Sequence, residues 1–259
     1  MSVFWRPSQM GSPRRPIAEN EQMFISVVIP AYNEEKYLGR CLRALRNQNY
    51  PRSRYEVIVV DNGSTDSTAE IARSYGARVI RERRKGIARA RQRGAQAARG
   101  EIIAFTDADT AVPPHWLARI ATHFAADPSL GGVYGPVYFS DGRPHEKLIM
   151  KYPVTWMLAL SNRVKRTCCA GSNFAVRKDA FWKIGGFNGF DGTGLMGEDV
   201  YLSLRLSRVT KIIFDPELAV YTSARRAREG YLNFLRRTAV STARVTLLKR
   251  PPLPAPDIR

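Results

Sequence analysis

The sequence is short of cysteine, of acid relative to base and of long apolar runs, and each shortage excludes something. The three cysteines (Cys41, Cys168 and Cys169) include a vicinal pair that cannot readily bridge itself, and no C-x-x-C spacing occurs. No disulfide framework or zinc spacing is present, which fits a reducing, cytoplasmic setting. The charge-free, apolar-rich stretch Tyr152 to Asn162 is 11 residues, whereas a spanning helix needs about 20. No membrane crossing is expected. Met1 to Asn20 carries Arg and Pro without an apolar h-region, so a secretory signal is not expected either.

What is present is an ordinary soluble mix: 259 residues, 44% hydrophobic and 25% charged. That excludes a disordered or collagen-like chain. The imbalance of charge is the first positive clue. Forty-one Lys and Arg against 23 Asp and Glu leave +18, a field that attracts nucleic acid, acidic lipid or phosphorylated small molecules. The excess is concentrated: Arg81–Arg99 holds eight bases and one acid, and Arg225–Arg259 holds nine against two.

Residues 1–22 lack apolar periodicity and read as a disordered leader. From Ile25 a β-branched run leads to Pro30, which is expected to end the strand. Asn33 is placed to cap a helix through Tyr37, Leu38, Cys41, Leu42 and Leu45. Strands follow at 55–60, 78–80 and 101–105, with helices between, the last over 86–99. This alternation predicts an α/β fold with a Rossmann-like, mostly parallel central sheet flanked by helices. Beyond Trp116 the order loosens: a helix through Phe124, one strand over 130–139, a helical stretch near 145–165 and a strand at 172–176. A helix after Gly197, a strand at 211–214 and a basic helix near 229–249 complete it, followed by a proline-rich tail.

In parallel sheets ligands sit beyond the carboxyl ends of strands, and polar clusters at 31–34, 61–66 and 106–110 fall at those ends. Asp107-Ala-Asp109 on an extended segment would point both carboxylates one way, with about 7 Å between α-carbons. Such a pair can hold a hard divalent cation against a pyrophosphate; the plainer alternative is a strand end and helix cap before Pro113 and Pro114. Asp61 can accept from the N3–H of a uracil, or merely close an Asx-turn with Asn62-Gly63. Glu34 is a pocket acid or a first-turn helix acid. Arg91 faces the same rim or is a plain surface arginine.

In order along the chain stand Val28-Ile-Pro-Ala-Tyr-Asn-Glu-Glu35, Val59-Val-Asp-Asn-Gly-Ser-Thr-Asp66, Ala90-Arg91-Gln92 with Gly94, and Phe105-Thr-Asp-Ala-Asp109. Gly171-Ser-Asn-Phe-Ala-Val-Arg177, Gly185-Gly-Phe187 and Gly197-Glu-Asp-Val-Tyr-Leu202 follow. Together these segments resemble the family 2 glycosyltransferases, which have the GT-A fold. The resemblance spans about residues 25–215 and implies inverting transfer from a nucleotide-sugar, UDP-linked by family habit, to an acceptor hydroxyl. It divides the chain into a leader (1–22), a GT-A domain (23–225, with a donor half 23–112 and an acceptor half 113–225) and a basic C-terminal helix and tail (226–259).

The resemblance also implies roles. Pro30, Ala31, Tyr32, Glu34, Asp61, Gly63, Arg91 and Asp107 would form the nucleotide pocket, with Asp61 and Arg91 reading the base and Asp107 on the ribose side. Asp109 would ligate Mg²⁺ or Mn²⁺, which neutralises charge on the departing diphosphate. Asp199 would be the general base, with Glu198 as second choice, and Gly171, Ser172 and Asn173 would belong to the acceptor or donor-sugar region. Acids at 198 and 199 could also simply stabilise a helix N-terminus.

The Q-x-x-R-W signature of processive members is reduced here to Phe234-Leu-Arg-Arg237, so a non-processive enzyme is expected. No histidine follows His145, so a late histidine metal ligand is not available. A nucleotidyltransferase is disfavoured because no G-x-G-x-R loop follows the first strand. A nucleic-acid-binding protein is disfavoured by the acidic rim, so nucleic acid is not an expected partner. The expected partners are a nucleotide-sugar donor and a sugar or lipid-linked acceptor. An anionic membrane surface, met by the basic C-terminal helix, is a further one.

Overall fold

The computed structural model describes residues 23–149, 155, 170–188 and 198–225. The expected leader, most of the 145–165 helix, Cys168 and Cys169, Gly197 and everything after Arg225 lie outside them.

Strands β1 (Ile25–Ala31), β2 (Tyr55–Asp61), β3 (Arg78–Arg81) and β4 (Ile102–Phe105) alternate with helices α1 (Leu38–Arg46), α2 (Thr68–Ser74) and α3 (Ile87–Ala97). After β4 come β5 (Thr110–Ala111), α4 (Trp116–Ala126), β6 (Leu130–Tyr134), β7 (Val137–Phe139) and α5 (Pro144–Ile149). β8 (Phe174–Arg177), α6 (Lys178–Lys183), α7 (Glu198–Leu206), β9 (Lys211–Phe214) and β10 (Val220–Thr222) follow. Seven described strands form one sheet in the order β3-β2-β1-β4-β8-β6-β9, and β5-β10-β7 form a second, smaller one. The first four strands are parallel; β8 runs antiparallel to both β4 and β6.

Alternation along the buried strands explains why helices cover both faces. Val27, Ile29, Val57, Val59, Ile102 and Ala104 point into the core under α1, α2 and α4. Their neighbours Val28, Ile58, Val60, Ile103 and Phe105 point into a second core with α3, α6 and α7. Successive side chains of a strand take opposite faces, so runs apolar at every position must be buried twice. In α1 the apolar residues Leu38, Cys41, Leu42 and Leu45 recur at helical spacing and are buried.

Three local expectations are corrected. Pro30 does not end β1, because its pairing with Val60 continues to Ala31↔Asp61. On the other side the β1–β4 pairing stops at Val28↔Phe105, so the missing proline N–H falls beyond the last β4 rung. Asn33 does not cap α1, which begins at Leu38. Instead Asn33 adopts φ 54°, a left-handed conformation that asparagine tolerates better than most residues. The single strand expected over 130–139 is two, broken at Gly135-Pro136 and divided between the sheets. Gly135 is needed there because a Cβ would collide with the Leu218 carbonyl.

α3 sits close on the sheet because Gly94 lets it. A Cβ at Gly94 would overlap Val28 Cγ1 and come within 3.0 Å of Val60 Cγ2. Gly94→Ala is therefore expected to destabilise the fold by roughly 1–3 kcal/mol in urea unfolding. At Gly39 a Cβ meets nothing nearer than 3.7 Å, and Gly39→Ala should cost no stability. Equal midpoints for wild type and Gly94→Ala would contradict this packing.

Candidate active site

The strand order places a switch point between β1 and β4, since β2 and β3 extend the sheet one way and β4 the other. Ligand sites of open α/β sheets form at such points. The loops after β1, β2 and β4 meet there and tie each other in place. The Asn33 carboxamide accepts from the Thr65 N–H at 2.9 Å, and the Asn33 N–H donates to Ser64 Oγ at 3.0 Å. Asp66 Oδ2 accepts from the Glu35 N–H, and Thr68 Oγ1 from the Glu34 N–H. Asp61, buried at the end of β2, accepts the Ser64 N–H on Oδ1 at 2.9 Å. Asp61 thus closes the turn through the N–H three residues on, where an Asx-turn would use the one two residues on, and Gly63 within it stands at φ 82°. Asn62 staples the next loop, donating to the Glu82 and Arg84 carbonyls and accepting from the Gly86 N–H. Tyr32, at the exposed rim, accepts from Lys85 Nζ at 2.7 Å.

Arg91 is not the surface residue that the basic composition of its helix suggests. It is 2% exposed, and its guanidinium reaches Asp107 Oδ1 at 2.8 Å and Glu198 Oε1 at 2.5 Å. Glu198 opens α7 and lies 107 positions from Arg91 in sequence, so one arginine joins the end of β4 to a distant helix. Glycine at 171 makes room: a Cβ there would lie within 2.5 Å of Arg91 Cζ. The Gly171 N–H donates to Asp199 Oδ2 at 2.7 Å, and the Val200 N–H donates to Asp199 Oδ1. Asp199 is half-buried where Glu198 is buried, so of the adjacent acids Asp199 is the more accessible.

Asp107 and Asp109 do not share one direction on an extended segment. β4 ends at Phe105, and the Thr110 N–H bonds back to the Asp107 carbonyl at 3.0 Å, so the pair sits on a turn. Asp107 goes to Arg91. Asp109, which is buried, accepts Thr222 Oγ1 on Oδ1 and Arg225 Nε on Oδ2, both at 3.1 Å. The other end of the Arg225 guanidinium pairs with Glu34 Oε1, and its Cζ lies 4.2 Å from the Tyr37 ring centroid. Among the described residues no cluster of three His, Cys, Asp or Glu could enclose a metal. A cation here would rest on Asp109 and otherwise on solvent and phosphate oxygens, the usual arrangement for Mg²⁺-like ions. Asp109 already compensates a positive charge, so the residues fit that group.

Of the expected residues the fold gathers Glu34, Asp107, Asp109, Arg91, Glu198 and Asp199 through two arginines. Asn173 belongs beneath the site: fully buried, it bonds Trp116 Nε1 and the Pro136 and Leu218 carbonyls. Ser172 is also buried. Thr222 and Arg225 escaped sequence reading because β10 is three residues long and Arg225 lies 116 positions from Asp109. The repeated polar pattern around Asn33 and Asp66 gave a signal, but nothing in the sequence pairs β10 with β5.

Burial is the main reason the Glu198 carboxyl is raised from 4.5 to about 7; repulsion from Asp199 adds to it, and Arg91 opposes. A carboxyl raised in the folded state keeps a proton that the unfolded chain has lost, so folding stability falls as pH rises through that window. Relative to Glu198→Gln, the wild type should lose stability between pH 4.5 and about 7 and level off above. Chemical denaturation of both proteins across this range checks it; a constant or rising difference would contradict it.

Residues 26–185 match Glycosyl transferase family 2. AglE, a glycosyltransferase of Haloferax volcanii, is 36% identical over 63% of this chain and 56% of its own length. A validoxylamine A glucosyltransferase of Streptomyces hygroscopicus subsp. limoneus is 30% identical over 74% of this chain and 49% of its own. The chain thus spans about half the length of these relatives. Among solved structures, the mannosyltransferase PcManGT of Pyrobaculum calidifontis, in complex with GDP-Man and Mn²⁺, superposes with TM-score 0.71 at 22% identity, over 96% of this chain and 69% of its own. Staphylococcus aureus TarS 1–349 with UDP-GlcNAc gives 0.61 at 21% identity, over 78% and 58%. These are glycosyltransferases of the GT-A fold, the architecture expected from the motifs. The chain belongs to glycosyl transferase family 2.

Proposed function

We propose that the protein is a non-processive, inverting glycosyltransferase that moves a sugar from a nucleoside diphosphate donor, UDP-linked, to an acceptor hydroxyl. The observation that carries this reading is the meeting of Asp107 and Glu198 on the buried Arg91. That bridge fixes the donor-side loop after β4 against the helix that bears Asp199, so a base is held at a set distance from the diphosphate site. Ala31, Glu34 and Asp61 line the nucleotide pocket, where the second Asp61 oxygen accepts from the uracil N3–H. Arg91 serves here as the strut between the two halves and not as a base reader, since both its terminal nitrogens are spent on carboxylates.

Asp109 holds a divalent cation, Mg²⁺ or Mn²⁺, which when bound offsets the charge of the departing diphosphate. PcManGT carries Mn²⁺ with its GDP-Man, in keeping with this choice. Asp199 takes the acceptor proton as the acceptor oxygen bonds to the anomeric carbon. The bond from that carbon to the diphosphate breaks, and its electron pair leaves with the nucleoside diphosphate. The Gly171 and Val200 N–H groups bonded to Asp199 hold its carboxyl group oriented for that step.

The acceptor is a lipid-linked or cell-surface glycan. Relatives named for dolichyl phosphate and poly(ribitol-phosphate) substrates support this class. The protein works in the cytoplasm, held at an anionic membrane face by its net charge of +18. Co-sedimentation with anionic vesicles at low salt, lost at high salt, is the expected result; no binding at low salt would remove the membrane from the account.

With Mn²⁺ and a panel of nucleotide-sugars, slow donor hydrolysis should identify one donor. EDTA and Asp109→Ala should each abolish it. Asp199→Asn should lower transfer by roughly 10²–10⁴ while nucleotide binding persists. Gly171→Ala, which displaces the Arg91 guanidinium, should also lower turnover in a folded protein. Full activity in EDTA, or near-normal transfer by Asp199→Asn, would overturn these roles.

A further inference from the structure

Asp109, read above as the cation's carboxylate, is held by Arg225, and the way that arginine is positioned shows that the contact is built rather than incidental. Thr222 pairs in register with Thr110, the residue after Asp109, and the two hydroxyls lie 3.1 Å apart. The chain turns immediately after β10. Asp141 fixes the turn, accepting Ser223 Oγ on one oxygen and the Ala224 N–H on the other. Arg225 is delivered over Asp109 by that turn. There its guanidinium bridges Asp109 and Glu34, two buried acids from different strand ends, and lies over Tyr37.

We propose that Arg225 is a built-in counter-cation: it competes with the divalent metal for Asp109 while no donor is bound, and transfers to the donor diphosphate when metal and donor arrive together. This rests on the reading of Asp109 as the metal carboxylate. Two buried acids without a positive partner would repel each other across a low-dielectric pocket, and Arg225 neutralises them. A divalent ion at Asp109 repels the guanidinium in turn. Metal alone must therefore break the Arg225–Asp109 contact and leave the guanidinium with Glu34 as its one remaining acid of the two. The metal–donor complex brings a diphosphate, which a guanidinium binds with charge-assisted hydrogen bonds. The consequence is that the site binds free cation weakly and binds cation and nucleotide diphosphate cooperatively.

The test is Mn²⁺ binding without donor, followed by the electron paramagnetic resonance signal of free Mn²⁺, and UDP binding with saturating Mn²⁺ by calorimetry. Arg225→Met keeps the length and removes the charge. It should bind Mn²⁺ about tenfold tighter or more than wild type, and UDP with Mn²⁺ about tenfold weaker. A side chain that only supported the fold would not move the two affinities in opposite directions. Arg225→Lys retains the charge and should keep Mn²⁺ binding weak, which separates lost competition from a disturbed turn. If Arg225→Met binds Mn²⁺ no tighter than wild type while Asp109→Ala abolishes binding, the competition is wrong and the metal site stands. If no variant binds Mn²⁺ and UDP binds equally in EDTA, the metal site itself falls and this proposal falls with it.

Discussion

A guanidinium buried between carboxylates from opposite halves of the chain holds this site together. Arg91 is charged at any accessible pH and is 2% exposed, so it must be compensated where it lies. Asp107 and Glu198 supply two carboxylates and Asp199 a third nearby, more negative charge than one guanidinium balances. The excess favours a proton on Glu198, whose carboxyl is pushed upward by burial and by repulsion from Asp199. Removing any partner strands the others in a low-dielectric interior. The end of β4 and the start of α7 are thereby obliged to stay together. Gly171 exists at its position because no side chain fits beside that guanidinium.

The second arginine repeats the pattern with a different consequence. Arg91 is enclosed and its partners are fixed, which suits a strut. Arg225 keeps 22% of its side chain exposed and directly follows a turn, as the proposed exchange of its contacts requires. The two guanidiniums divide the work at the switch point. One holds the end of β4 to the start of α7; the other pairs with Asp109 and Glu34, and in the reading proposed above keeps Asp109 in charge balance until a donor is present.

Much of this was legible in the sequence where it followed from short-range rules. Val27 to Ile29 and Val57 to Val60 are apolar at successive positions, which marks strands buried on both faces, and Asp61 and Asp107 are polar where such runs stop. The family motifs then joined these ends to Glu198 and Asp199. What stayed hidden depends on contacts between distant segments. That Arg91 turns inward could not be read from a helix rich in arginine, because its partners come from another strand end and another helix. Thr222 and Arg225 reach Asp109 only through a three-residue strand with no periodic signature. The extended geometry expected for Asp107-Ala-Asp109 failed because the chain turns as soon as β4 ends, sending the two carboxylates to different arginines.

The proposed transfer is a single displacement at the anomeric carbon, with Asp199 taking the proton and the diphosphate leaving from the opposite face. Its stereochemistry is the most direct test. With the donor identified by slow hydrolysis, water serves as acceptor, and proton NMR of the released sugar, read before mutarotation, reports its first-formed anomer. An α-linked donor should yield the β-anomer. Initial release of the α-anomer would contradict it.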